Sequence, residues 1–162
     1  MDSTRQTLVD LVVEQLRTIK TSNSYTMYNQ TGNYKTNIGD SVWIWRDVSF
    51  ESDEPDSLIV RDLDEPLQLP SPYAERVERQ LHIGIELIGR NAKSEKLRNE
   101  YLPDVEIAIG VGARTRWNNI GKTRPRKSIS VTGQESVKIA GMIFEFYIDY
   151  PGYAFYPYPI GS

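Results

Sequence analysis

The chain has 162 residues, of which 39% are hydrophobic and 25% are charged, and this ordinary globular usage excludes wholesale disorder. A formal net charge of −3 and a pI of about 5.3 exclude a global positive field that would collect nucleic acid. The chain has no cysteine and only one histidine, and this composition excludes thiolate chemistry, disulfides and His-rich metal centres. We therefore expect a non-enzymatic protein without cofactor or metal.

The first predicted element is an amphipathic helix of about four turns. Ser3 is its expected N-cap, and Gln6 is placed three residues later to complete a capping box. Before it, the sequence lacks the basic-then-apolar pattern of a signal peptide, so we expect the protein to stay in the compartment where it is made. The apolar residues recur at helical spacing, and we expect them to pack on a sheet: Leu8, Leu11, Val12, Leu16 and Ile19.

Residues 20–40 are rich in Thr, Ser, Asn, Gly and Tyr, which predicts an extended loop or a loosely paired hairpin. A segment of this length without a hydrophobic face is uncommon in a compact domain unless it is functional or meets a partner. Tyr25, Tyr28 and Tyr34 are therefore candidate partner contacts, because tyrosine offers a large contact area at low entropy cost. A merely mobile loop is the alternative.

Two short strands are predicted at residues 42–46 and 58–60, and an acidic stretch from Asp47 to Glu65 lies between and after them. Three prolines at 66, 70 and 72 then mark a connection that is neither helix nor central strand. The most regular strand follows, with His82 on its polar face. We interpret His82 as structural, because the sequence places no serine or carboxylate to orient it. The opposite face of this strand is apolar: Leu81, Ile83, Ile85 and Leu87.

The second helical region spans residues 91–112, where Pro103 must either kink the helix or start a new one at its first turn. Its apolar residues recur at helix-like intervals: Leu97, Tyr101, Leu102, Val105 and Ile109. A basic stretch follows, with a short strand at 128–132. The last strand, at 137–149, places one set of side chains on a single face: Met142, Phe144, Phe146 and Ile148.

After Tyr150 the chain is aromatic and proline-rich, which predicts an arm over residues 151–162 that forms neither a regular helix nor a central strand. The order of elements predicts a single α+β domain over residues 1–162. We expect a mostly antiparallel sheet with two helices packed on one face, an extended loop at 20–40 and this C-terminal arm. The arm's aromatic residues are candidate contacts with a neighbouring subunit or a partner: Tyr153, Phe155, Tyr156 and Tyr158.

Charge is segregated along the chain, which favours a head-to-tail contact between the acidic stretch of one subunit and the basic stretch of the next. The candidate contact residues on the basic side are Arg114, Arg116, Arg124, Arg126 and Lys127. Two unrelated solvated loops would give the same pattern. A cytosolic nucleic-acid-binding module is another alternative, in which Trp117 beside Arg116 stacks on single-stranded bases.

The segments together resemble the tail terminators of tailed bacteriophages, the gpU-like minor tail protein family. The resemblance lies in an order of four segments: the opening helix at 4–10, the strand at 78–87, the helix at 97–109 and the closing strand at 140–150. It implies a structural virion protein of the tail or neck, assembled in the host cytoplasm. The loop at 20–40 and the arm stand outside the resemblance.

The resemblance also implies partners. They are other copies of the chain in a hexameric ring, the tail tube protein that the ring caps, and the head–tail connector or neck protein above it. DNA would pass only in transit through the lumen, and no membrane is involved. Acidic residues suit a lumen wall because like charge prevents sticking, so Asp53, Glu54 and Asp56 are lumen candidates. A tail-completion or head–tail connector protein is the structural alternative.

Overall fold

The computed structural model describes residues 1–45, 55–90, 96–126, 130–134 and 139–160. Helix α1 spans Thr4–Leu16, and Ser3 caps it by accepting a hydrogen bond from the Gln6 backbone N–H at 3.1 Å. The Gln6 side chain donates to Asp10 at 2.8 Å instead of returning to Ser3, so the predicted capping box forms only in half. Leu8, Val12 and Leu16 are buried as the spacing predicts, whereas Leu11 is half-buried and Ile19 is buried beyond the end of the helix.

Residues 20–40 contain a hairpin at 24–33, one of the two alternatives that the sequence left open. Strand β1 (Ser24–Met27) pairs with β2 (Gln30–Asn33) through a two-residue turn, Tyr28 and Asn29, whose φ angles are both positive. A short 3₁₀ turn follows at Ile38–Asp40. The carboxylate of Asp104 holds the end of the hairpin by accepting hydrogen bonds from the backbone N–H groups of residues 35 and 36.

Among the described residues, the main sheet has seven strands. They are β3 at Val42–Ile44, β4 at Ser57–Asp62, β5 at Leu67–Gln68, β6 at Arg76–Arg90, β7 at Lys122–Pro125, β8 at Ser130–Gln134 and β9 at Ile139–Tyr153. Its order is β3-β4-β6-β9-β7, with β5 paired to β6 and β8 paired to β9. Strand β3 is parallel to β4, and the other pairs are antiparallel. The 15-residue strands β6 and β9 pair along their whole length and form the centre of the molecule.

The second helical region begins with a π-helical turn at Leu97–Tyr101 and continues as helix α2 at Leu102–Thr115. Pro103 lies in the first turn of α2, where its missing N–H costs least. Pro103 therefore marks a change of helix type, because the π turn passes directly into α2 through helical backbone at Tyr101 and Leu102. The wider π turn just before it accommodates the ring of Pro103, which would clash with the carbonyl of a regular preceding turn.

Both helices pack on one face of the main sheet, and this confirms the predicted α+β fold. The alternation in β6 and β9 places their apolar side chains in one core with α1 and α2, and the alternate side chains on the helix-free face. Trp117 is fully buried in that core and donates its indole N–H to Thr123 at 2.7 Å. The Trp117 side chain is therefore not exposed to stack on bases, as the nucleic-acid-binding alternative requires.

Two strand predictions differ from the structure. Strand β7 was missed because its Lys-Thr-Arg-Pro sequence lacks alternating apolar residues, yet it pairs with β9 as an edge strand. The predicted arm begins too early, since Pro151–Tyr153 continue β9 and pair with residues 76–78. The pairing of β7 with β9 ends at Asp149, so beyond that residue β9 is an edge strand on this side. Pro151 is tolerated there because its missing N–H breaks no pairing between strands.

Candidate assembly surface

Exposed apolar side chains gather where β6 begins and β9 ends. Leu67 and Leu69 come from the proline-rich connection around β5, and Tyr73 follows them with its side chain 94% exposed. Phe155, in the arm, is 101% exposed. These four residues, which we call the end patch, line one shallow groove of about 560 Å³. Large apolar side chains gathered at an exposed site mark contact surfaces more often than solvated ones.

The sequence placed Phe155 at a contact surface but missed Leu67, Leu69 and Tyr73. They were missed because the prolines at 66, 70 and 72 were taken only as marks of a connection. The apolar residues in this proline-rich connection could have predicted an exposed apolar surface. Prolines keep the segment out of the centre of a sheet, so its apolar side chains are not easily buried there.

The arm is held by its own chain through the backbone while its aromatic rings point outward. The Ala154 N–H donates to the Glu75 carbonyl at 2.8 Å, and Thr4 N–H at the start of α1 donates to the Pro157 carbonyl at 3.0 Å. The second bond satisfies one of the N–H groups that a helix start leaves unpaired. Tyr156 and Tyr158 remain exposed, and their rings meet edge to face at 5.4 Å. Tyr153 is half-buried as the last residue of β9.

Phe155 also has a strained backbone. Its φ is 60°, in the left-handed region that disfavours a bulky residue. A fully exposed phenylalanine gains no packing in the free subunit that would offset this strain. Strained, exposed aromatic residues are typical of sites that meet a partner.

The three hairpin tyrosines do not lie together at one surface. Tyr34 is buried in the core, which removes its side chain from the predicted contact surface. Tyr25 is half-buried and packs against Tyr34 with ring centroids 5.2 Å apart. Only Tyr28 is open to solvent, at 72% exposure, and the Arg114 guanidinium lies 4.1 Å from its ring centroid. Long-range packing, which the local sequence does not reveal, places Tyr34 in the core.

The predicted basic contact residues are mostly engaged within the chain. Arg116 donates to Gln15 at 2.6 Å and reaches Glu14 at 3.5 Å, so it ties α2 to α1. On the helix-free face of the sheet, Arg124 pairs with Asp149 at 2.7 Å, and Arg126 pairs with Glu145. Lys127 lies outside the described residues. Within the described residues, Arg114 forms no ion pair, and its guanidinium lies over the ring of Tyr28.

Of the predicted lumen residues, Asp53 and Glu54 lie outside the described residues. Asp56 accepts a hydrogen bond from the Tyr101 hydroxyl, and this contact links the start of β4 to the π-helical turn. Burial, together with the hydrogen bond to Asp56, raises the pKa of Tyr101 well above its ordinary value. Asp56 therefore has a role inside its own subunit.

His82 has carboxylate partners that the sequence did not reveal. Its Nδ1 lies 2.7 Å from Asp64 Oδ1, and its Nε2 lies 3.1 Å from Glu145 Oε1. The expectation that no carboxylate orients it is therefore wrong. The Nδ1–Asp64 contact is a hydrogen bond, whereas the Nε2–Glu145 contact lacks hydrogen-bond geometry. The ring also stacks on Tyr147 at 4.6 Å, and this cluster ties the connection after β4 to the helix-free face of β9.

Comparisons with known proteins add no family to these observations. No protein-family model matches the chain, and no curated protein matches it. In the part of the chain that the structure describes, neither helix has the length and apolar character needed to cross a bilayer. The same residues contain no cluster of three or more acidic or histidine side chains arranged to hold a metal ion.

Proposed function

We propose that this chain is a structural assembly subunit of the tail-terminator kind. In this proposal, six copies form a ring that caps a phage tail tube and joins it to the head-side connector. The end patch is the observation that supports it best, because a subunit that remained alone would expose Tyr73 and Phe155 to water without any gain. The order of the sequence segments and the α+β fold are compatible with the same role.

The end patch is also organised in advance for contact. The backbone bonds from Ala154 and Thr4 hold the arm in place before any partner arrives. A surface that is already ordered loses less conformational entropy on binding than a free tail would. The proposal therefore assigns to the end patch the contact with a neighbouring subunit or with the tube.

Native mass spectrometry and negative-stain electron microscopy test the proposal, using the full chain alone and mixed with tail-tube subunits. We expect six-fold rings, either free or at tube ends. Tyr73→Ser should weaken ring formation by about ten-fold or more, since burying a large aromatic side chain contributes about 1.5–3 kcal/mol. Tyr73→Phe, which keeps the apolar area, is the matched control and should assemble normally.

A chain that remains monomeric at every concentration, with and without tube subunits, would contradict the proposal. A neck or connector protein would use the same kind of surface. Its ring would occupy the connector position in a map of the virion, and the terminator would occupy the end of the tube. This placement separates the two structural roles.

The nucleic-acid-binding alternative loses its main support. Trp117 is buried, and Arg116, Arg124 and Arg126 are occupied by partners within the subunit. If this alternative were correct, single-stranded DNA would bind at low salt and the affinity would fall steeply as salt rises. We expect no such binding.

A further inference from the structure

A further concave surface lies on the helix-covered side of the sheet, between α2, the tip of the β1–β2 hairpin and the edge strand β7. We call it the side groove, and its volume is about 820 Å³. Ile109 of α2 and Phe146 of β9 lie at its base, while Met27 of the hairpin and Pro125 of β7 border it. A volume in this range is typical of sites that take up a small ligand or a few side chains of a partner.

The wall that the hairpin forms can adjust to an apolar occupant. A Cβ atom on Gly110 would lie 2.7 Å from the Met27 sulfur, so the hairpin tip rests directly on α2. The methionine side chain is flexible and polarizable, and it adapts to the shape of the groups that pack against it. Met27 is half-buried in the subunit, so an occupant of the side groove would cover apolar surface that is still open to water.

The side groove carries one free base and one free acid. Arg114 and Glu106 both line it, and the eight residues between them along α2 correspond to about 12 Å. Neither forms an ion pair among the residues that the structure describes, and the Arg114 guanidinium lies over the ring of Tyr28. The register of β7 with β9 places the side chains of Lys122 and Arg124 on the helix-free face, away from the side groove.

The end patch carries free charges of the same two kinds. Glu75 lines the groove of the end patch, and Arg76 follows it as the first residue of β6. Both are exposed, and within the described part of the chain neither has an ion-pair partner. Glu75 can therefore pair with Arg114 of a side groove, where an acid and a base would each gain the partner that the single subunit lacks.

The end patch of a subunit cannot fill the side groove of the same subunit. Phe146, at the base of the groove, lies seven residues before Tyr153 at the end of β9, and extended backbone separates the two by about 23 Å. Phe155 is only two residues beyond Tyr153, and the Ala154 N–H is fixed to the Glu75 carbonyl at 2.8 Å. A side groove that receives an end patch therefore belongs to another copy of the chain.

We infer that the end patch of one copy docks into the side groove of the next copy. Phe155 enters the groove and packs against Met27 and Pro125, while Glu75 pairs with Arg114. The burial gained there offsets the backbone strain of Phe155, whose φ is 60°. Because two different surfaces meet, the contact is head to tail and generates a ring when the rotation closes. The inference rests on the proposed function, since it names the surface that the end patch contacts.

Crosslinking between single-cysteine variants tests the contact directly, because the chain has no cysteine of its own. Ala113 lines the side groove and Ala154 lines the groove of the end patch, so Ala113→Cys and Ala154→Cys place one thiol at each surface. With a short bifunctional maleimide, we expect a mixture of the two variants to give a covalent dimer. Arg98→Cys, at an exposed position outside both surfaces, is the control partner for Ala154→Cys and should give at least about ten-fold less dimer.

Each cysteine variant alone distinguishes the other arrangements of two copies. Crosslinking of Ala154→Cys to itself would place two end patches together, and crosslinking of Ala113→Cys to itself would place two side grooves together. Either result without the mixed dimer would overturn the inference. A mixed dimer no more abundant than the Arg98→Cys control would also overturn it.

Charge reversal in the full chain tests the pairing of Glu75 with Arg114. Arg114→Glu and Glu75→Arg should each weaken self-association in sedimentation velocity at low salt by about ten-fold or more, because facing like charges are strongly unfavourable. The variant with both changes restores opposite charges at every contact and should recover association, which separates a lost contact from a damaged fold. Arg98→Glu changes the net charge as Arg114→Glu does and should associate normally. A doubly changed variant as weak as the single variants would overturn the inference.

Electron microscopy of the crosslinked samples separates this inference from the proposed function. Six-fold rings that form without the crosslink between Ala113→Cys and Ala154→Cys would overturn the inference and leave the proposed function standing. Open filaments that carry this crosslink, without any closed ring, would overturn the proposed function and leave the contact standing.

Discussion

Replacing Phe155 by glycine should stabilise the free subunit while it weakens assembly. The φ of 60° at this residue costs about 1–2 kcal/mol for a side chain with a Cβ atom, and glycine removes that cost. Glycine also makes the unfolded chain more flexible, which costs about 0.4–1 kcal/mol. Because the side chain is fully exposed, almost no packing is lost. Subtracting the second cost from the first leaves a net gain of about 0–1.6 kcal/mol, with a middle value of about 0.8 kcal/mol, in the free energy of unfolding.

Tyr73 provides the matched control, since it is 94% exposed in the same end patch and its φ is not positive. Tyr73→Gly should therefore lower stability by about 0.4–1 kcal/mol, with no strain to relieve. Urea unfolding followed by tryptophan fluorescence measures both values, because the buried Trp117 becomes exposed on unfolding. The titrations are repeated at several protein concentrations so that assembly does not contribute to the apparent stability.

Equal destabilisation by the two glycine variants would refute the argument from backbone strain. Both variants should lower ring formation, since each removes one aromatic side chain from the end patch. If Phe155→Gly stabilised the subunit and left assembly unchanged, the arm would have no part in the contact. A residue that serves only the contact should give higher subunit stability and weaker assembly when it is replaced by glycine, as expected for Phe155→Gly. A residue of the subunit's own core should instead lower stability.

Two further predictions concern the subunit itself. Asp104 is 1% exposed and accepts hydrogen bonds from the Thr36 N–H and hydroxyl. Because Asp104→Ala leaves these buried donors without their acceptor, it should lower the free energy of unfolding, measured in urea, by about 3 kcal/mol. Glu106→Ala, at an exposed position of the same helix, should change stability by less than about 0.5 kcal/mol, and equal effects would contradict this reasoning. Burial raises the pKa of Tyr101 and Tyr150, and the folded state therefore holds their protons more tightly than the unfolded state. Stability should fall as pH rises above about 10, and the late phase of tyrosinate absorbance should shrink in the phenylalanine variants.

The sequence alone determined the elements that local patterns encode. The alternation in β6 and β9, the helical spacing in α1 and the position of Pro103 each specify a backbone conformation through neighbouring residues. Because an amphipathic helix and a half-buried strand must each cover one face, these patterns also predicted the α+β fold with both helices on one side.

Only the tertiary structure decided which side chains meet across long separations in the chain. Strand pairing brings Glu145 to His82, and the packing of α2 on α1 brings Arg116 to Gln15. The sequence analysis assigned Arg116 to a contact with a neighbouring subunit and gave His82 no carboxylate partner, since nothing local marks a partner 60 or more residues away. Burial is likewise a property of the whole fold, and for this reason Trp117 lies in the core while Leu69 stays at the surface.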